Sequence, residues 1–314
     1  KFFLTFDYFN KKTTGILRKQ QMIFESGYSS SSPYINSGAM QNTGFELSAE
    51  YRGKIDKVNF GVKWNIQTFK NKVTKFGNPE ITSNGEAIPS IIEEGKPYGS
   101  FYLYDWDGIF QTQAEADASG QTNKPKAGDI RIKDHDGKAG ISSEDKILVD
   151  GKFPKYSTGL TLSANWKGLD VTAFFYGTFG QKIFVYGSGY EPFFLQSIPT
   201  KEWLNAWTPE NKSNTMPAVY DAQHYRSAFN TYPSTYNLKD NSFLRLKNLN
   251  IGWTFNMAKV TKNVLNSVRV YFAGENLFTI TKFKGLDPER AGNGGYYVTY
   301  PQNRVYSLGL NVKF

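Results

Sequence analysis

Apolar and polar residues alternate one for one along several stretches of the chain. In Asn303–Phe314, Tyr306, Leu308, Leu310, Val312 and Phe314 are apolar, and Ser307, Gly309, Asn311 and Lys313 lie between them. Successive side chains of a strand point to opposite faces, so such a stretch has one apolar and one polar face. The same period recurs at Phe45–Tyr51, Val58–Gln67, Leu160–Trp166 and Leu249–Phe255, and begins again at Val268, Val270 and Phe272. Several of these strands carry Trp, Tyr or Phe near an end, as an interfacial aromatic girdle would. Small polar residues and glycine behind an apolar face suit a barrel wall with lipid outside and water inside. A soluble sandwich alternates as well, so one strand does not decide between them.

The connections sharpen the choice. Gly53–Asp56 and Lys167–Gly168 read as tight turns and Asn256–Leu265 as a modest one, whereas Thr68–Pro154, Thr178–Asp240 and Thr281–Gln302 are long. Short turns at one end and long loops at the other mark an outer-membrane barrel. In a soluble domain, long segments without structure would count against the strands. Placing the C-terminus on the short-turn side puts every long loop on the other side. Eight strands are clear, the first at Phe2–Phe9, and Gly99–Phe110 lies near two more. The pattern predicts an all-β, antiparallel transmembrane barrel wall of eight to ten strands with long extracellular loops. One short helix is expected at Thr200–Trp207, capped by Thr200 with Glu202 in its first turn.

Composition agrees with this reading. The chain has 314 residues, net charge +9 and no Cys, and is rich in Tyr (20), Phe (25) and Gly (29), which favours β structure. No apolar run reaches the roughly 18–20 residues of a transmembrane helix, so only strands could cross a bilayer. The residues open on a strand without a secretory leader, which suggests a mature fragment or the C-terminal part of something longer. Lys and Arg are spread out rather than grouped with stacking aromatics, so nucleic acid is not expected as a partner.

An ordered series of blocks resembles the C-terminal part of the SusC-like TonB-dependent transporters of Bacteroidetes outer membranes (the SusC/RagA family). It starts with Asn36, Gly38, Asn42, Gly44 and Glu46, then Glu94–Phe101, Asp107–Gln111 and Gly128–Ile130. It continues through Pro154–Ser157 with Gly159–Leu160, and Trp207–Asn211. It ends with Phe243–Leu249, Gly274–Phe278 and Gly285–Glu289. Any one block is weak; their number and order are specific. The resemblance implies that residues 1–314 supply the last eight to ten strands of a barrel of about 22 strands, whose lumen an N-terminal plug fills. It also implies import of glycans or peptides, energised by TonB through the plug, under a SusD-like surface lipoprotein. No counterpart of the plug is found in these residues, so the remainder of the barrel and the plug are expected partners, with outer-membrane lipid around the wall. The last strand, Tyr306, Leu308, Leu310, Val312 and Phe314, would serve as the outer-membrane insertion signal.

Candidate chemistry is sparse. Asp134, Asp136 and Asp145 fall at positions 1, 3 and 12 of an EF-hand-type calcium loop. Lys138 and Ala139 occupy positions 5 and 6, where the family has Asp-Gly, and a cation there repels calcium. An ordered acidic loop is therefore favoured over a metal site, and no cofactor is expected. The histidines, His135 and His224, lie in different loops with no Cys to join them, which disfavours zinc. Among the aromatics, Tyr98, Phe101, Tyr102, Tyr104 and Trp106 are read chiefly as loop packing. Tyr186, Tyr190, Phe193 and Phe194 are the candidates for cargo or partner contact. No catalytic residue is assigned. Two alternatives remain: a small outer-membrane barrel enzyme, which lacks a nucleophile-and-base motif here, and a soluble carbohydrate-binding β module.

Overall fold

The computed structural model describes residues 1–20, 33–82, 88–187, 190–196, 198–219, 221, 224, 231–262, 264–290 and 300–314. Three strands open the chain: β1 (Phe2–Lys19), β2 (Tyr34–Ile55) and β3 (Val58–Thr68). A long excursion over 69–155 then holds β4 (Lys70–Lys75), β5 (Glu80–Thr82), β6 (Ser90–Ile92), β7 (Ser100–Tyr104), β8 (Trp106–Ile109), helix α1 (Gln113–Asp117), β9 (Ile130–Ile132) and β10 (Lys146–Val149). The hairpin β11 (Tyr156–Trp166) and β12 (Leu169–Phe179) follows. A second excursion carries β13 (Lys182–Phe184) and β14 (Leu238–Asp240). The strands β15 (Phe243–Asn256), β16 (Ser267–Thr281) and β17 (Val305–Lys313) complete the order.

Eight strands form one antiparallel meander, β1-β2-β3-β11-β12-β15-β16-β17, and β4 joins it beside β2. Its register sorts side chains by face. Residues directly opposite each other on antiparallel strands share a face. Ala49 faces Trp64, Trp64 faces Leu160, and Leu160 faces Phe175. Farther along, Val171 faces Ile251, Ile251 faces Phe272, and Phe272 faces Leu308. One face is thus apolar from β1 to β17. The other carries Asn65, Thr161, Thr172, Asn250 and Asn311. Much of the apolar face is open: Leu308 is 83% exposed, and Phe6, Trp166 and Trp253 are also exposed. Aromatics fringe it at both ends, with Tyr156 and Phe278 towards the long loops and Trp166 and Trp253 beside the short turns. β3, β11 and β12 each have 11 residues, about the length that a tilted strand needs to cross a bilayer.

Two-residue turns join β2 to β3 and β11 to β12, and residues 257–266 join β15 to β16. These turns and Phe314 lie at one end of the sheet. The strand ends joined by residues 20–33, 69–155, 180–242 and 282–304 lie at the other. In the turn Lys167-Gly168 both residues have positive φ, 47° and 95°, the mirror-image geometry whose twist matches paired strands.

Two expectations need correction. The strands near Gly99–Phe110 exist as β7 and β8, but they belong to small sheets of the loop layer and not to the wall. The wall therefore has eight long strands. The segment Thr200–Trp207 is a single 3₁₀ turn, Lys201–Asn205, and the Thr200 side chain makes no capping hydrogen bond. The Trp203 indole donates to the Tyr190 carbonyl at 3.0 Å, and that anchor sets the turn in place of a capped helix.

Candidate functional site

The described residues of the long connections fold into a layer over one end of the wall, and most of the described buried apolar side chains belong to it. Ile183, Val185, Tyr190, Tyr236 and Phe283 form one cluster. Ile88, Phe101, Leu103 and Phe184 form a second. Blocks that carry the family resemblance meet here in pairs. Phe110 N–H donates to the Asp129 carbonyl, Gly128 N–H returns to Phe110, and the Trp207 indole donates to Gln111 Oε1 at 3.0 Å. Gly128, with φ 89°, lies under the Trp207 ring, where a Cβ would collide. Glu94 accepts the amides of Phe76 and Gly77, while Asn71 Oδ1 accepts that of Tyr98, so the Glu94–Phe101 block clamps the loop to β4.

A buried ion network ties the last long connection to the wall. Arg245 on β15 donates to Asp287 at 2.7 Å and to Glu289 at 2.6 Å, and Lys247 adds 2.9 Å to Glu289. The Arg245 and Asp287 side chains are 4% and 3% exposed. A bulge between Leu246 and Asn248 interrupts the pairing of β15 with β16, so Arg245 stays on the polar face with Asn248. Desolvation pushes the Asp287 carboxyl up, but Arg245 and the amides of Gln302 and Glu289 outweigh it, and the net shift is downward. Lower on the same face Arg269 spans Asp170 and Asn250. Its guanidinium also lies 4.9 Å from the Tyr271 ring, which covers Gly309.

The acidic loop is organised by its own backbone. Asp145 accepts His135 N–H (2.8 Å), Asp136 N–H (3.2 Å) and Ser142 N–H (2.8 Å). Asp134 accepts Gly137 N–H, and Asp136 pairs with the Lys138 ammonium at 3.1 Å. The carboxylates of Asp134, Asp136 and Asp145 lie within 4.8 Å of one another, with the Lys138 cation beside them. Burial pushes the Asp145 carboxyl up, but the three amides and a hydrogen bond with Asp134 outweigh it, and the net shift is downward. The two histidines lie apart, His135 on Asp105 at 3.1 Å and His224 on Asp129 at 2.7 Å.

The four candidate contact aromatics have different surroundings. Tyr186 packs against the Phe101–Leu103 cluster and Tyr190 is buried in the Ile183 cluster, while Phe193 is exposed with φ 56°. Phe194 begins a 3₁₀ turn. Phe101 and Tyr104 are buried, as expected of loop packing, whereas Tyr98 is exposed. Beside Tyr190 lies a cavity of ≈ 370 Å³ lined by Trp203, Tyr236 and Lys239 among others. Trp203 comes from a different segment than Tyr236 and Lys239, and no shared period links them in the sequence. A Lys three residues after a Tyr, Tyr236 and Lys239, was the one available cue.

No family model matches the chain. It is 29% identical over 339 residues to TonB-dependent receptor P3 of Formosa agariphila, covering 99% of this chain and 32% of that receptor. To TonB-dependent receptor SusC of Bacteroides thetaiotaomicron it is 25% identical over 292 residues, covering 89% of this chain and 27% of SusC. Among solved structures, the RagAB peptide transporter matches with a TM-score of 0.76 at 27% identity, covering 100% of this chain and 33% of that one. The RagAB peptide importer in its closed-closed state gives 0.74 at 28%. The chain thus spans about a third of the length of these relatives.

Proposed function

We propose that this chain, which is similar over its length to SusC-like TonB-dependent receptors, forms wall and outer loops of an active importer in the bacterial outer membrane. The observation that carries this reading is the sheet itself. Eight strands in one meander share one apolar and one polar face, and every long connection joins strand ends on the same side of the sheet, as a barrel wall between lipid and water would. Residues of the wall conduct no covalent chemistry in this reading; they bound a water-filled lumen and exclude lipid from it. The receptor would take glycans or peptides, with a SusD-like lipoprotein over the loop layer and TonB acting through a plug outside residues 1–314. β17, with Tyr306, Leu308, Leu310 and Val312 on its apolar face, would carry the insertion signal together with Phe314 just after it.

The test is extraction and uptake together. Membranes are fractionated, the protein is purified in detergent with whatever accompanies it, and uptake of short peptides and glycans is measured with and without TonB. Recovery from the outer membrane with a surface lipoprotein and TonB-dependent uptake is expected. Recovery in a detergent-free soluble fraction, or uptake unaffected by loss of TonB, would overturn the reading.

A further inference from the structure

We propose that the loop-layer cavity between Tyr190, Trp203, Tyr236 and Lys239 binds a carboxylate group of the imported molecule. This names the chemistry of the cargo and rests on the import reading; the binding itself does not.

The cavity is built rather than incidental. Tyr190, Trp203 and Tyr236 are buried, and the Trp203 indole is fixed on the Tyr190 carbonyl. Lys239 projects from β14 between two rings, its ammonium 4.6 Å from the Tyr236 centroid and 5.3 Å from that of Tyr190. It donates to the Tyr236 carbonyl at 2.7 Å. An ammonium has three donors, and among the described residues no carboxylate pairs with this one. The two acids of the lining are engaged elsewhere: Glu202 holds Lys284 at 2.6 Å, and Asp240 accepts the amide and hydroxyl of Ser242. Lys282 adds a further positive charge at the rim. The lining therefore has cationic capacity to spare, and its volume lies within the usual range for small-ligand sites.

The donor set selects the anion. Among the described residues no arginine lines the cavity, so a bound anion would meet the ammonium as a point charge rather than a planar fork. The described lining holds three lysines and two acids, an excess of one positive charge, and Lys239 stands between two aromatic rings, which matches a single negative charge. Burial pushes Lys239 down to about 8; Glu202 opposes that shift and Lys284 adds to it. A carboxylate in contact restores the charged form. The carboxylate end of a peptide and the acid group of a uronate sugar both supply this chemistry.

The experiment uses the receptor purified from membranes in detergent. Binding of trialanine, trialanine amide and glucuronate is measured by calorimetry between pH 7 and pH 9, in wild type and Lys239→Met. Trialanine or glucuronate should bind about tenfold or more tightly than the amide, and Lys239→Met should abolish that difference. The acid's affinity should fall as pH rises past 8, and the amide's should not. Preference for trialanine identifies a peptide source, and preference for glucuronate a sugar acid; either supports the site. Equal binding of acids and amide in wild type, or an unchanged preference in Lys239→Met, would overturn it. Should Lys239→Met fail to fold, the pH dependence in wild type decides alone, a flat profile for the acids being fatal. Carboxylate binding without TonB-dependent uptake would sink the import reading and leave the site standing.

Discussion

At the scale of single residues the wall and the loops obey different rules. Arg245 is almost without solvent and is satisfied by Asp287, Glu289 and Thr279. Removing it strands a buried carboxylate, a change that costs about 3–5 kcal/mol. Arg245→Met should therefore lower the melting temperature in detergent sharply, and adding Asp287→Asn should restore part of the loss. A melting curve for Arg245→Met that overlays wild type would refute the network's role. Asp145 holds its loop through three amides. Its folded carboxyl titrates below the ordinary value, so its contribution is complete above about pH 4 and is lost as pH falls through the folded pKa. Asp145→Asn should cost about 1–3 kcal/mol at neutral pH, and the mutant should lose less than wild type on acidification. Because Lys138 already sits on Asp136, adding calcium should leave the melting temperature unchanged; a clear rise would mean that the Asp134, Asp136 and Asp145 cluster does take the ion.

At the scale of elements, the hairpin β11–β12 shows what a short turn demands. Gly168 has φ 95°, and its position lies against the Thr254 carbonyl. A β-branched side chain meets both the strained backbone and that oxygen. Gly168→Val should destabilise the hairpin by about 1–2 kcal/mol or more and slow recovery of the folded band after denaturation in detergent. A variant that refolds like wild type would show the turn to be dispensable. The wall strands were legible in the sequence because half their residues face one solvent and half another, so the period of two is written into residues such as Leu249, Ile251 and Trp253. The loop layer was not legible. Its core joins Ile109 to Trp207 and Ile183 to Phe283 across long separations, and short strands such as β6 and β13 have too few residues to show any period. Thr200 illustrates the same limit: a sound local capping signal yields where Trp203 is anchored on Tyr190. The cavity at Lys239 was invisible for that reason.

At the scale of the whole molecule, the sheet places ordinary burial inside out. Leu162, midway along β11, faces the apolar side opposite Val62 and Ala173, and is exposed. Its neighbour Thr161 faces the polar side, opposite Lys63. If the apolar side meets lipid, Leu162→Arg puts a cation near the bilayer midplane, at a cost of about 2–4 kcal/mol. Thr161→Arg puts the same cation into water, and an arginine can place its long stem along the wall. The two substitutions are adjacent and chemically identical in what they add, so differences of strand propensity nearly cancel. A soluble module makes a different forecast: an arginine at an exposed leucine would be close to neutral, and both variants would behave alike. Refolding yield into lipid vesicles, followed by the shift of the folded band on an unheated gel, reads the contrast directly. Loss confined to Leu162→Arg fits a wall between lipid and water. Equal yields would remove the membrane from the account, and with it the sidedness that places the carboxylate cavity in the outer loop layer.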